Sequence, residues 1–273
     1  MNVFGKFLTK RLFHFPILGI LLVFSFVSCA KDHLYPDHPE NPIPIGEKHI
    51  YVNGNDTLRY QLISPEKIGL GKKYPLLLFC HGADQRGNDN ESQLGDFPEL
   101  LLTGYGRKLF PCYILAPQVP FQEQWVNVSW QDSSEIMPDT ISNVEMLTIK
   151  LLDSLRINFH IDTNRIYVTG LSMGGFATWD LICRYPQKFA AAAPIAGGGD
   201  ENQAAQLIDI PIWAFHGDND DVILPCRSIN MVNAVNAAGG NARLTLYPNV
   251  GHWSWNNAYK EPELFRWMFE QSK

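Results

Sequence analysis

The stretch Ile166-Tyr167-Val168-Thr169-Gly170-Leu171-Ser172-Met173-Gly174-Gly175 decides the reading of this sequence. A run of strand character enters G-x-S-x-G, a pattern that makes a strand-to-helix turn so tight that glycines must flank it, leaving a serine hydroxyl exposed. With Gly at about 7% of residues and Ser similar, a chain this long shows the pattern about one time in ten by chance. The flanks therefore carry the argument. An apolar strand precedes the turn, and a helical stretch from Phe176 to Arg184 follows it.

A serine hydroxyl is a weak nucleophile until a base takes its proton, and the base needs a carboxylate to orient it. In a strand-turn-helix setting of this kind the partners follow in the order Ser, Asp/Glu, His, each in a loop after a later strand. Both are present. After Ile212-Trp213-Ala214-Phe215 stands His216-Gly217-Asp218-Asn219-Asp220-Asp221, and after Leu244-Thr245-Leu246-Tyr247 stands Val250-Gly251-His252-Trp253. His252 is the candidate base. Three aspartates crowd one loop: Asp220 is the first choice of acid, Asp221 the second and Asp218 the third, the others being turn-forming or solvated. His81 and His216 each precede a glycine at a strand end and read as structural hydrogen-bonding groups. An oxyanion needs two preorganised N–H donors. Met173, next after the serine, supplies one, and Ala83 in His81-Gly82-Ala83, after the strand ending at Cys80, supplies the other.

Outward from this centre, short apolar runs alternate with helical periodicity, the signature of a mainly parallel sheet covered by helices. His49 to Val52 and Thr57 to Ile63 flank an Asn-Gly turn and predict an opening antiparallel hairpin. Buried strands are predicted at Pro75–Cys80, Cys112–Ala116, Arg165–Gly170, Ala190–Ile195, Pro211–Phe215 and Ala242–Tyr247. Ser142 with Glu145 three residues on forms a capping box ahead of an apolar face through Leu155. A helix over Arg227–Ala238 stops at Gly239-Gly240, and a last helix follows Pro262. Only about fifteen residues separate the strand ending at Ile195 from the one starting at Pro211, which leaves no room there for a helical lid.

The chain has 273 residues, 45% hydrophobic and 18% charged, the balance of an ordinary globular protein with one large core. Twenty-two Lys+Arg against 28 Asp+Glu give a net charge of -6 without a dense basic run, which argues against a nucleic-acid partner. No cysteine or histidine spacing suggests a metal site, and no cofactor is implied. Cys80 and Cys112 sit in apolar runs, and buried thiols are expected for the cysteines of the folded part.

The first residues carry a targeting signal. Lys6, Lys10 and Arg11 precede an apolar stretch from Ile17 to Val27, too short to span a membrane comfortably. It ends in Phe26-Val27-Ser28-Cys29, which resembles the lipobox of bacterial lipoproteins, in which the cysteine is acylated. That resemblance implies a signal peptide over residues 1–28 and a lipidated Cys29 with a Pro-rich spacer over 29–47, ahead of a folded domain over 48–273. It also implies attachment to the bacterial outer membrane through lipid, on its periplasmic or outer face.

From Lys48 onward the chain resembles the α/β-hydrolases of the compact, lidless esterase branch, which includes predicted peptidases, phospholipase/carboxylesterase-like proteins, and feruloyl or polyhydroxybutyrate-depolymerase-like esterases. The resemblance rests on His81-Gly82-Ala83 with Arg86-Gly87 and Asp89-Asn90, on Ala116-Pro117-Gln118 with Trp125 downstream, and on the Ser172 turn, the Asp220-Asp221-Val222 loop and Gly251-His252. It implies an α/β fold with a mainly parallel sheet of about eight strands, helices on both faces and no lid domain. In that family the acid four residues beyond the His-Gly histidine is usually catalytic, which supports Asp220. Two departures stand out: Asp84 replaces a frequent glycine, and the acid loop is one residue longer before Pro225, which keeps Asp221 in contention. The implied activity is cleavage of a carboxylic ester, on a small molecule or a polysaccharide, through an acyl-enzyme. Trp125, Trp253 and Trp255, with Trp130, lie in loops near the expected site edge and are candidates to stack on a sugar or phenolic group. A prolyl-oligopeptidase-like peptidase and a catalytically silent binding protein are the competing readings.

Overall fold

A computed structural model describes residues 46–261 and 263–273. The expected signal peptide, the lipidated Cys29 and the spacer as far as Ile45 lie outside the described residues. Eight strands form one sheet in the order β1-β2-β4-β3-β5-β6-β7-β8. They are β1 Glu47–Asn53, β2 Asp56–Ile63, β3 Tyr74–Cys80, β4 Tyr113–Gln118, β5 Ile161–Leu171, β6 Ala191–Ile195, β7 Ile212–Gly217 and β8 Ala242–Tyr247. The hairpin β1-β2 and its junction with β4 are antiparallel, and every pairing from β4 to β8 is parallel. All eight predicted strands are found.

The two-residue period of the strands deals their side chains to two cores. Leu76, Leu78 and Cys80 face one core, and Leu77 and Phe79 face the other. The first core is covered by α2 (Asn143–Asn158), α3 (Met173–Arg184) and α4 (Cys226–Ala237), through residues such as Leu151, Trp179 and Val235. The second is covered by the flanks of α1 (Gly104–Leu109), by α5 (Trp255–Ala258) and by α6 (Leu264–Glu270). A sheet buried on both faces explains why its central strands read as unbroken apolar runs.

Two expectations need correction. Ala242–Tyr247 was expected among the strands covered on both faces, but β8 is the edge strand and is buried through only one of its six residues. The capping box at α2 is half made: Ser142 Oγ accepts the Glu145 N–H at 3.1 Å, while the Glu145 carboxylate, fully buried, has no hydrogen bond back to the cap. It lies beside Asp180 on α3, and burial followed by that like charge pushes it well above the usual carboxylate range. The cysteines follow expectation at three of four positions, Cys226 being the exception. Cys80, Cys112 and Cys183 are free and buried, and Cys226 is free and partly covered.

The strand order reverses between β3 and β5, since the chain runs from β3 outward to β4 and then returns to the other side of β3. A crevice at the carboxyl ends of strands is expected at such a reversal. His81 leaves the end of β3 there, and Ser172 leaves the end of β5.

Candidate active site

Ser172 sits between β5 and α3 with φ 54° and ψ -120°, a left-handed conformation that costs a non-glycine residue about 1 to 3 kcal/mol. The fold enforces it from both sides. The Ser172 N–H donates to Ile195 O at 2.9 Å, and a Cβ on Gly174 would stand 1.9 Å from Cys80 O, so only glycine lets α3 begin this close to β3. The hydroxyl is left half-buried at the crevice, facing His252: Ser172 Oγ lies 2.9 Å from His252 Nε2.

His252 arrives on the loop after β8. That loop closes onto the end of β7 because Gly217 has no side chain; a Cβ there would stand 2.2 Å from Val250 O and 2.4 Å from Gly251 O. Asp218 fastens the same junction by accepting the Asn249 N–H at 2.6 Å. His252 Nδ1 is 2.8 Å from Asp220 Oδ2. Of the three candidate acids, then, Asp220 reaches the histidine, Asp218 ties the turn, and Asp221 is exposed.

The Asp220 carboxylate is saturated. Oδ1 accepts the N–H groups of Val222 at 3.0 Å and Ile223 at 2.9 Å, while Oδ2 faces both His252 and, at 3.2 Å, His216 Nε2. Burial works against ionisation, but these donors outweigh it and hold the carboxyl below its ordinary range.

Ala83 and Met173 each open a helical turn: Ala83 starts the 3-10 turn Ala83–Gln85, and Met173 is the first residue of α3. The N–H at such a position has no acceptor within its own helix and is free for a ligand oxygen. The Ala83 loop is braced from below. His81 Nε2 accepts the Val119 N–H at 3.0 Å, so Nδ1 carries the ring proton and donates to Gly82 O at 2.7 Å. Burial lowers the His81 pKa to about 4, which keeps the ring neutral in this role. Arg86 Nε donates to Ala83 O at 2.9 Å, and Gln118 Nε2 bridges to Gln85 O and to Asp89 Oδ1. Asp84 does not adopt a positive φ, so its replacement of a glycine strains nothing.

The tryptophans divide. Trp125 was expected at the site edge, but it is 0% exposed and donates its Nε1–H to His81 O at 3.0 Å, which makes it a brace for the Ala83 loop. Trp255 is also buried, its ring edge-on to His252 at 5.2 Å between centroids, where it packs the base in place. Trp253 is 65% exposed with its ring 6.5 Å from that of His252. Trp130 is partly buried against the first core. Trp255 was expected in a loop but opens α5, and which rings turn inward depends on contacts with His81 and His252 that spacing does not reveal. Among the described residues, no group of three or more His, Cys, Asp or Glu side chains is placed to hold a metal ion.

The chain resembles several known proteins. It is 32% identical over 154 residues to the poly(3-hydroxyalkanoate) depolymerase C of Paucimonas lemoignei, covering 53% of this chain and 33% of that protein. It is 35% identical over 159 residues to the bifunctional acetylxylan esterase/xylanase XynS20E of Neocallimastix patriciarum, covering 56% of this chain and 20% of that one. The crystal structure of a thermostable esterase superposes with a TM-score of 0.79 at 34% identity, over 85% of this chain and 64% of the other. The chain thus spans a fifth to a third of these two enzymes and under two thirds of the esterase. Residues 113–263, which carry Ser172, Asp220 and His252, match the Dienelactone hydrolase family over more than half of the sequence. On that match, and with the eight-stranded α/β-hydrolase fold to accompany it, the chain belongs to the dienelactone hydrolase family.

Proposed function

We propose that this protein is a serine hydrolase that cleaves carboxylic esters. The observation that carries the reading is the continuous contact from Ser172 Oγ through His252 to Asp220, at 2.9 Å and 2.8 Å. Ser172 attacks the acyl carbon as His252 Nε2 takes its proton, and Asp220 holds the imidazole with Nδ1 protonated and supports its positive charge. The N–H groups of Ala83 and Met173 receive the oxyanion. His252 then returns the proton to the leaving alcohol, and water releases the acid by the same steps in reverse.

The acyl group is acetyl, feruloyl or another short acyl, carried on a small molecule or a polysaccharide. The acetylxylan esterase and polyester depolymerase among its relatives favour an ester borne on a polymer, and the exposed ring of Trp253 beside the base offers a stacking face at the rim. The protein is exported and held at the outer membrane by acylated Cys29, a reading supported by the Phe26-Val27-Ser28-Cys29 sequence.

The deciding experiment treats the detergent-purified full-length chain and its Ser172→Ala variant with a fluorophosphonate probe and a panel of p-nitrophenyl esters. Labelling and turnover present in the wild type and absent in the variant support the reading. A folded wild type that takes no probe overturns it in favour of a silent binding protein. Loss of metabolic fatty-acid labelling in Cys29→Ser tests the anchor.

A further inference from the structure

One buried group at the site has no part in the proton transfers above. His216, at the end of β7, is 0% exposed, and both ring nitrogens are engaged. Nε2 lies 2.9 Å from Ile223 O and 3.2 Å from Asp220 Oδ2, two groups that only accept, so the ring proton sits on Nε2. Nδ1, left without a proton, accepts from the Ser228 Oγ–H on α4 at 2.7 Å; the same oxygen stands 3.0 Å from Gly197 O, a second acceptor for its single proton. Gly197 follows β6 and is pressed against Gly175 in the first turn of α3; a Cβ on Gly197 would fall 2.5 Å from Gly175 C. The imidazole therefore ties Asp220 and Ile223 of the acid loop to the end of β7 and to α4.

We infer that His216 is a positioning residue for the triad: it locks the Asp220 carboxylate in the rotamer that orients His252 and, by donating to Oδ2, limits how strongly that carboxylate draws the proton on His252. This deepens, and rests on, the reading of Ser172, His252 and Asp220 as the reacting set. Without His216, Oδ2 keeps His252 as its one side-chain donor, the carboxylate gains freedom to turn about χ2, and Ile223 O loses its partner. Small losses of alignment in such a set act on kcat rather than on substrate binding. The direction of the electrostatic effect is also fixed. A carboxylate relieved of one donor pairs more strongly with an imidazolium, so the base holds its proton to higher pH. The groups facing His216 are Asp220 from its own loop, Ser228 from α4 and, across Asp220, His252; Arg227, next to Ser228, is paired instead with Glu135.

The test compares His216→Met, His216→Gln and Ser228→Ala in the full-length protein, each checked for wild-type circular dichroism, with p-nitrophenyl acetate as substrate. His216→Met removes the donor at similar size. Its kcat is expected to fall at least about tenfold with KM within about twofold, and the acid limb of its kcat/KM profile to move up by about half a pH unit. His216→Gln, which returns an N–H toward Asp220, is expected to recover most of the lost kcat and to bring the limb back. Ser228→Ala, which only loosens the ring, is expected to move both readouts in the same direction by less. A folded His216→Met with wild-type kcat and limb overturns the inference, as does an equal loss in the Met and Gln variants with the limb unmoved. Should His216→Met not fold, an unmoved limb in Ser228→Ala overturns it. A wild type that neither turns over the ester nor takes a fluorophosphonate defeats the serine-hydrolase reading itself, a result distinct from an active enzyme indifferent to residue 216.

Discussion

At the scale of single residues, the choice among Asp218, Asp220 and Asp221 shows what fixes a role. All three are acids in one loop, and side-chain chemistry does not separate them. The backbone does: the N–H groups of Val222 and Ile223 grip one oxygen of Asp220 and aim the other at His252, while Asp221 turns to solvent. Replacing Asp220 by Asn leaves the shape but presents an amide where Nδ1–H needs an acceptor. The loss in kcat is expected on the order of 10^4-fold, as for the corresponding change in other Ser-His-Asp enzymes. Asp221→Asn is expected to stay within about twofold of wild type, and steady-state kinetics on one ester decides between them. Ser172 and His252 were legible because a motif and chain order constrain them. Asp220 was legible only as a preference, because the groups that single it out, two N–H groups of its own turn and the rings of His216 and His252, are brought together by the packing of Gly217 against the His252 loop. Trp125 was misread for a related cause: its partner, the carbonyl of His81, lies 44 residues away.

At the scale of an element, α2 shows a local signal overruled by its surroundings. Ser142 and Glu145 have the spacing of a reciprocal cap, and the start of the helix falls where that spacing puts it. The glutamate, however, sits on the face that packs against α3, so its carboxylate is drawn under the helix toward Asp180 instead of back over the cap. The two residues therefore have separable consequences. Ser142→Ala removes the one side-chain acceptor for the first turn and is expected to cost about 1 kcal/mol, lowering Tm by roughly 2 to 4 °C. Glu145→Gln keeps size and donor capacity in a place that already favours the uncharged form. It is expected to leave stability at pH 7 within about 0.5 kcal/mol of wild type, and thermal melts of both variants check the pair. The strands were easier to read than this helix end because their apolar runs report burial on two faces directly, and β8 departed from expectation because an edge is a property of sheet order, not of its own residues.

At the scale of the whole molecule, the long connection from Val119 to Ser142 has no regular structure and is held down by buried charge. Glu135 contacts Arg227 at 2.6 Å, Arg227 itself is fully buried over the Phe176 ring, Asp200 accepts the Met137 N–H at 3.0 Å, and Arg184, paired with Asp180, reaches Pro138 O. This loop borders the helix that carries Ser172 at its start, so its attachment matters to the site. Burial raises the Glu135 pKa from 4.5 to about 7, and Arg227 offsets only part of that rise. The sign follows from proton binding. Between pH 4.5 and 7 the folded chain holds a proton on Glu135 that the unfolded chain has released, so stability from this group is full below 4.5 and is lost as pH rises through 7. The loss amounts to as much as about 3 kcal/mol across that window. Asp220 has the opposite sign, its contribution being present above the ordinary carboxylate range and lost only as pH falls through and below it. The two windows do not overlap, which makes the effect separable. In Glu135→Gln, which fixes the uncharged form, the contribution should vanish. Urea unfolding of wild type and variant at pH 5 and pH 7.5 is expected to show the wild type losing its advantage, or falling behind, at the higher pH. A difference between the two proteins that stays constant over that range would mean that Glu135 ionises in the folded chain as it does in the unfolded one, with Arg227 fully compensating its burial.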